Sequence, residues 1–267
     1  MSNWKSDDVI ANGLKLHYTR TGGEKPPLVM AHGYSDNGLC WTRVARILEK
    51  DHDLIMYDVR GHGLSDDAPD PGDSEGMVHD AAGLIEALAL DRPGMMGHSM
   101  GAAIAAGTAA FYPDLLGYII LEDVPWWADA EAQERWHQRA PEQPEEEPQT
   151  REEWVAFCHE RSPNWHEDEV QPWADAKVQF SKHKELELSI PSSWQEIARR
   201  ITCPVLLITG DPEEGSIVTP EVAQEALELM PQAELAHIAG ASHNIRRSQF
   251  EAYMEVVQNF LAAQRQS

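Results

Sequence analysis

Short apolar runs recur along the chain, and apolar residues between them follow helical spacing. The runs occupy residues 28–31, 54–57, 93–97, 118–121 and 204–210, and a last short strand is expected at 234–238. Continuous apolar runs of this length are typical of strands that are covered on both faces. Apolar residues at helical spacing over 39–48, 74–90 and 102–110 predict helices between successive strands. A strand, a helix and a second strand in this order form a parallel crossover. The pattern therefore predicts an α/β fold, a mostly parallel sheet with helices on both faces.

Near the N-terminus the pattern changes to strict alternation. Residues 9–18 alternate apolar and polar side chains across the pair Asn12-Gly13. An Asn-Gly pair between two alternating segments is the strongest short-range signal of a β-hairpin. We therefore expect an antiparallel hairpin at one edge of the sheet.

Between residues 125 and 197 no strand pattern is found, and aromatic residues are concentrated. Seven of the nine tryptophans lie there, together with an acidic segment at 142–148. A mostly helical insertion between two strands predicts a cap, with 141–148 as an exposed connection between its helices. The expected division is a core formed by 1–124 and 198–267, with a cap at 125–197. Most of these tryptophans should attach the cap to the core. Trp126 and Trp127 directly follow a strand, so we expect them to contact substrate.

The charge balance is strongly acidic, with 21 basic and 45 acidic side chains and a net charge of −24. Such a surface repels nucleic acids and anionic lipid headgroups, so neither is an expected partner. Three cysteines without metal-like spacing favour buried thiols in a reducing compartment. Since no apolar run is as long as a signal peptide or a membrane span, we expect a cytoplasmic protein without membrane insertion.

One segment combines a buried run with glycines placed around a serine. Ser99 stands between Gly97 and Gly101, after a short apolar run and before an alanine-rich helix. A serine on a sharp strand-to-helix turn requires very small residues two positions before and after it. The helix that follows directs its unpaired N–H groups and positive dipole end toward that serine. We therefore expect Ser99 to be a nucleophile on such a turn.

A serine hydroxyl is a poor nucleophile near neutral pH and needs an imidazole to accept its proton. The imidazole needs a carboxylate that fixes its tautomer and stabilises its charged form. His243 follows the last predicted strand, and parallel strands bring reactive groups together at their C-terminal ends. His243 is the expected general base. His62 is interpreted as a residue that braces a loop, and His32 as one that shapes the turn before Tyr34.

Three carboxylates compete for the acidic position. Glu213 lies three residues beyond Gly210, which ends a predicted strand, and this spacing would let it turn back toward His243. Asp211 is closer to the same strand, and Glu122 ends a different one; Glu214 is a minor alternative. Glu213 is the first choice, with Asp211 and Glu122 left open. The backbone N–H groups of Tyr34 and Met100 are the expected oxyanion hole.

The chain resembles the α/β-hydrolase superfamily over its core, but not over the predicted cap. The matching segments are His32-Gly33, 58–65, 97–101, 207–210 and 240–243. This resemblance implies a hydrolase with no cofactor or metal and a helical lid after the sixth strand of the shared core. Family members often carry Asp where this chain has Glu213, and some take the acid from the position matching Glu122. Haloalkane dehalogenases and epoxide hydrolases of this fold use Asp where this chain has Ser99, which argues against both activities.

The resulting hypothesis is a serine carboxylesterase that forms an acyl-enzyme on Ser99. A lactonase, acting for example on acyl-homoserine lactones, would use the same residues and an apolar cap. Amide, carbon–carbon bond and perhydrolysis chemistry also stay open. A slow-turnover ligand sensor with this fold is the alternative from another class. The expected partner is a small ester or lactone; the oligomeric state is left open.

Overall fold

A computed structural model describes residues 4–67, 73–139, 148–180 and 193–265. Within these residues eight strands form one sheet in the order β1-β2-β4-β3-β5-β6-β7-β8. The strands are β1 (Lys5–Ala11), β2 (Leu14–Arg20), β3 (Pro27–Ala31), β4 (Asp53–Tyr57), β5 (Gly94–His98), β6 (Tyr118–Glu122), β7 (Val205–Thr209) and β8 (Ala233–His237). Every pairing from β4 to β8 is parallel, whereas β2 pairs antiparallel with both β1 and β4. The predicted mostly parallel sheet is confirmed.

Helices form at the three predicted places, 39–48, 74–90 and 102–110, and further helices follow along the chain. They are α1 (Thr42–Leu48), α2 (Ser74–Ala87), α3 (Met100–Phe111), α4 (Ala130–Arg139), α5 (Arg151–Arg161), α6 (Glu167–Phe180), α7 (Trp194–Arg200), α8 (Pro220–Leu229), α9 (Ile245–Ser248) and α10 (Phe250–Gln264). The predicted helix at 39–48 begins as a 3₁₀ turn over Gly38–Trp41 before α1. Short 3₁₀ turns at a helix start are common because they tighten the first hydrogen bonds.

The predicted hairpin forms the outer edge of the sheet. Asn12 and Gly13 both have positive φ angles, 50° and 80°, and pairing continues from Ala11–Leu14 to Lys5–Arg20. Positive φ at both central residues is the requirement of a type I′ turn, which Asn-Gly satisfies at little steric cost. The alternating pattern and the turn residues therefore specify the same register.

Two apolar layers cover the sheet, one on each face. Successive residues of β3 point to opposite layers, with Val29 and Ala31 on one face and Leu28 and Met30 on the other. Helices α2, α3, α7 and α8 pack on the first face, and α1 and α10 pack on the second. This arrangement confirms the expected helices on both faces and explains why the central strands are apolar throughout.

Between β6 and β7 the described residues form helices α4 to α7 and contain no strand. Helices α5 and α6 pack on each other through Trp154 and Trp173, whose ring centroids are 5.5 Å apart. The expected connection at 141–148 lies outside the described residues except for Pro148. The division into core and cap at residues 125 and 197 stays a prediction.

Candidate active site

Ser99 occupies the strained turn that the glycine spacing predicts. It lies between β5 and α3 with φ 51° and ψ −117°, a conformation that costs a non-glycine residue about 1–3 kcal/mol. A Cβ atom on Gly97 would lie 2.1 Å from the carbonyl oxygen of Gly101, and one on Gly101 would lie 2.1 Å from that of Ala31. Both glycines are therefore required by close backbone contacts, and the turn presents Ser99 at the C-terminal edge of the sheet.

His243 lies at the same edge, in the loop that follows β8. His98, the residue directly before Ser99, brings the two segments together: its ring centroid is 4.8 Å from that of His243. The His243 side chain retains 18% of its accessibility, which leaves the ring open to a bound molecule. The expected serine and histidine are thus placed on adjoining loops.

The carboxylate that contacts His243 belongs to Asp123. Its Oδ2 lies 2.6 Å from His243 Nδ1. Asp123 directly follows β6 and has a φ of 43°, which turns its side chain back over the sheet edge. With Nδ1–H donated to a carboxylate, the imidazole carries its free lone pair on Nε2, the atom that a general base uses in this geometry.

A set of donors from another loop holds the Asp123 carboxylate in place. Ser216 Oγ donates to Oδ1 at 2.7 Å, and the backbone N–H groups of Ile217 and Val218 donate at 2.9 Å and 3.1 Å. Asp123 has no exposed surface. A buried carboxylate is stable only when hydrogen bonds replace its hydration, and these donors supply such bonds.

The structure pairs the His243 ring with Asp123 instead of any of the three expected acids, each of which has other contacts or surroundings. Glu213 is exposed in a 3₁₀ turn at Pro212–Glu214, and Glu214 shares that turn. Asp211 contacts His237 Nε2 at 2.9 Å and accepts the Gly240 N–H. Glu122 binds Arg246, with Oε2 3.1 Å from Nη1. Pro212 starts a helical turn in place of the extended loop that Glu213 would need to reach back.

Sequence reasoning missed Asp123 by one position. Glu122 and Asp123 are consecutive acids at the end of β6, and only Glu122 is among the acids expected from the sequence. Successive side chains of a strand point to opposite faces, and Glu122 follows that rule into the buried layer beside Arg246. The positive φ of Asp123 breaks the strand there, so the residue just beyond the strand is the one aimed at the histidine loop.

The two N–H groups expected to form the oxyanion hole belong to residues that follow neighbouring strands. Met100 is the first residue of α3 after β5, and Tyr34 follows β3, which pairs with β5 through Ala31 and Gly97. Ser35, next to Tyr34, has a φ of 60° and donates its N–H to His62 Nε2 at 3.2 Å. Both donor segments therefore lie at the edge that carries Ser99, and their role in oxyanion binding stays a prediction.

Two buried histidines fix the loop that carries Tyr34. His62 receives the Ser35 N–H and contacts the Arg60 carbonyl oxygen through Nδ1 at 3.1 Å. His32 receives the Val59 N–H at 3.0 Å. Burial holds the pKa of both imidazoles below the usual 6.5, most strongly for His62, so each stays neutral and able to accept these N–H groups. His62 thus braces the loop that carries Tyr34, as expected, and the role of His32 in shaping the turn before Tyr34 stays a prediction.

The tryptophan nearest to His243 is Trp136 on α4, which sequence reasoning did not single out. Its ring meets the His243 ring edge-on with centroids 5.2 Å apart, and its Nε1 donates to the Gly215 carbonyl at 2.8 Å. Trp127 is half-buried against Trp136 at 5.5 Å. Trp126 instead stacks on Trp194 at 5.1 Å and is only 3% exposed. Trp126 thus packs in the interior. The expected contacts of Trp126 and Trp127 with substrate stay predictions.

A buried cluster of charged side chains joins α6 to both loops of the site. Arg247 donates to Asp36 at 2.8 Å and to Glu169 at 3.2 Å, and Arg246 binds Glu122 and Asp36. Lys177 donates to the carbonyl and hydroxyl oxygens of Ser35. Burial alone would raise the pKa of Asp36, but Arg247 and Lys177 outweigh it and lower that pKa. The same burial lowers the pKa of Lys177.

A mostly parallel eight-stranded sheet with a serine on a strained strand-to-helix turn defines the class of the α/β-hydrolase fold. The sequence model of the alpha/beta hydrolase family matches residues 28–258, and the chain belongs to this family.

Among the described residues, no group of three or more His, Cys, Asp or Glu side chains is placed to bind a metal ion. None of the helices described is both long enough and apolar enough to cross a bilayer.

Relatives of known activity match over nearly the full chain. N-formylmaleamate deformylase of Pseudomonas putida is 25% identical over 281 residues, 95% of either chain. 2-(Acetamidomethylene)succinate hydrolase of Mesorhizobium japonicum is 26% identical over 257 residues, 91% of either chain. The crystal structure of an E-2-(acetamidomethylene)succinate hydrolase superposes with a TM-score of 0.80 at 24% identity, covering 97% of this chain and 100% of that one. At this identity the structural match supports the fold alone.

Proposed function

We propose that the chain is a serine hydrolase that cleaves carboxylic esters through an acyl-enzyme on Ser99, with His243 as general base and Asp123 as the acid. The observation that carries the proposal is the 2.6 Å contact between His243 Nδ1 and the buried Asp123 carboxylate, beside the strained turn of Ser99. A histidine paired in this way has its second nitrogen available for a hydroxyl.

The proposed reaction has two halves. The Ser99 hydroxyl attacks the ester carbonyl while His243 Nε2 takes its proton, and the negative oxygen that develops is bound by the N–H groups of Tyr34 and Met100. His243 then gives its proton to the ester oxygen of the leaving group while the bond from that oxygen to the acyl carbon breaks, and an alcohol departs. In the second half a water molecule loses a proton to His243 and attacks the acyl carbon. The bond from that carbon to Ser99 Oγ then breaks, His243 returns the proton to Oγ, and the carboxylic acid is released. Asp123 stabilises the imidazolium in both halves.

The direct test is hydrolysis of a panel of aryl and alkyl esters by the wild type and by Ser99→Ala. Loss of the nucleophile should reduce kcat by a factor on the order of 10⁶. Ser6→Ala is the matched control, because Ser6 is exposed on the outer strand β1, and it should behave as wild type. Ester turnover that persists in Ser99→Ala would exclude the proposal.

A second candidate substrate is an N-acyl amide, favoured by the names of two relatives that each match over more than nine-tenths of both chains. One is named a deformylase of N-formylmaleamate and the other a hydrolase of 2-(acetamidomethylene)succinate. The same serine and histidine serve both bond types, since the imidazolium protonates an amine as readily as an alcohol oxygen. Matched esters and N-formyl or N-acetyl amides in one panel separate the two. A higher kcat/KM for the amides would favour this candidate.

Lactone cleavage and a sensor role remain testable by the same enzyme preparation. Ring opening of acyl lactones compared with linear esters distinguishes a lactonase. One slow event per protein molecule, instead of many turnovers, would indicate a sensor. We propose a small-molecule substrate and a cytoplasmic location, supported by the net charge of −24 and by three cysteines that are all free and buried.

A further inference from the structure

We propose that His98 is a positioning residue that fastens the backbone of the catalytic histidine to the strand that carries the nucleophile. This inference rests on the proposed function, because it assigns a role to His98 through His243. His98 ends β5 directly before Ser99, and its Nε2 lies 3.0 Å from the backbone carbonyl oxygen of His243. A single side chain therefore joins the two loops whose relative position decides whether proton transfer can occur.

The hydrogen bond fixes the tautomer of His98. A carbonyl oxygen can only accept, so Nε2 must carry the proton and donate it. Nδ1 is then the unprotonated nitrogen, and within the described part of the chain it is buried without a hydrogen-bond partner. Gly33 packs against it, since a Cβ atom there would lie 2.6 Å from Nδ1. The other tautomer would lose the hydrogen bond to the His243 carbonyl and would in addition leave a buried N–H unsatisfied at Nδ1.

His98 consequently stays neutral while His243 changes charge. The pKa of His98 is held well below 6.5 by burial, with further lowering by Arg246 and by His243 itself. The two rings are 4.8 Å apart, so a second imidazolium would oppose the one that forms during the reaction. A neutral donor at this place holds His243 without competing with it for a proton.

His243 is then fixed at two points from two different strands. Asp123, after β6, holds the ring through Nδ1, and His98, at the end of β5, holds the backbone carbonyl. The ring contact sets the tautomer and the rotation of the imidazole. The backbone contact sets how far the loop lies from Ser99, and an error of about 1 Å in such a distance can cost a factor on the order of 10² in rate.

The test compares two replacements of similar length. The amide nitrogen of Gln occupies the place of imidazole Nε2 and can donate, so His98→Gln keeps the hydrogen bond. His98→Met fills the space without a donor. We expect His98→Met to lower kcat by about 10- to 100-fold with KM within about twofold of wild type, and His98→Gln to recover kcat to within about fivefold.

Equal kcat in His98→Met and wild type would overturn the inference, and so would equal losses in the Met and Gln variants. If the Met variant does not fold, His98→Asn replaces it, because its shorter amide reaches only the place of Nδ1; it should lose kcat where Gln does not. Ser99→Ala is assayed in parallel. Activity that survives in Ser99→Ala contradicts the proposed function itself, whereas loss there with full activity in His98→Met contradicts the role of His98 alone.

Discussion

At the scale of single residues, the site depends on a buried carboxylate that accepts hydrogen bonds from three neighbouring residues and from His243. Ser216, Ile217 and Val218 belong to the loop after β7, and they donate hydrogen bonds to both carboxylate oxygens of Asp123, of which Oδ2 also contacts His243. The placement of Ser99 and His243 at one edge of the sheet could be predicted because their motifs and strand-end positions are local features of the sequence. Asp123 could not, because its orientation results from a positive φ and from donors about a hundred residues further along the chain.

Replacing Asp123 by Asn tests this arrangement at nearly constant volume. The Asn side chain has one accepting oxygen where Asp has two, so it cannot accept hydrogen bonds from both His243 Nδ1 and the backbone N–H groups. Without an acceptor at Nδ1, the imidazole loses the tautomer that leaves Nε2 free. We expect kcat to fall by a factor on the order of 10³ to 10⁴. Glu213→Gln is the control, because Glu213 is exposed. Steady-state kinetics on one ester decide between them: a large loss in Glu213→Gln with Asp123→Asn unaffected would reverse the assignment.

At the scale of elements, the strands and most core helices follow from periodicity and turn chemistry. The hairpin is specified by alternation around Asn12-Gly13, and β3 to β7 by continuous apolar runs. The placement of α4 and α6 is different. Trp136 reaches His243, and Lys177 reaches Ser35, through contacts that no local pattern encodes. The sequence predicts that helices lie there, but tertiary packing decides which face meets the site.

Helix α6 supports the loop expected to bind the oxyanion. Lys177 donates to two oxygens of Ser35, and Gln179 accepts from Asn37 at 2.8 Å. Lys177→Met keeps the length of the side chain and removes both donations to Ser35. Since the adjacent Tyr34 N–H is then less well held, we expect kcat to fall about tenfold, a fraction of the effect of losing an oxyanion donor outright. Lys50→Met, an exposed change, should leave kcat unaltered; equal rates in both variants would contradict this role.

At the scale of the whole molecule, the fold gathers buried imidazoles at one edge of the sheet. His32, His62 and His98 are at most 3% exposed, and burial lowers the pKa of each below 6.5. As the pH falls below 6.5, these histidines therefore bind protons in the unfolded chain but stay neutral in the folded chain. Where the unfolded state binds more protons than the folded state, the free energy of unfolding falls as the pH falls. Acidification should therefore weaken the fold.

Urea unfolding followed at about pH 7.5 and at about pH 5.5 measures this effect. The free energy of unfolding should be lower at the acidic pH, by up to about 1.4 kcal/mol for each of the three histidines. Glu122 works in the opposite sense, because burial raises its pKa despite Arg246. The His98→Gln variant has one such histidine fewer and should show a smaller decrease. A free energy that is unchanged or higher at the acidic pH would show that these imidazoles do not control the pH dependence.

The central claim is that Ser99 is a nucleophile activated by His243 and Asp123. Covalent labelling by a fluorophosphonate, read by mass spectrometry of the intact protein and its peptides, tests it without knowledge of the substrate. We predict one adduct per chain, located on Ser99, absent in Ser99→Ala and formed far more slowly in His243→Ala and Asp123→Asn. Labelling of another residue would contradict the account, and so would a labelling rate in the His243→Ala and Asp123→Asn variants equal to that of the wild type.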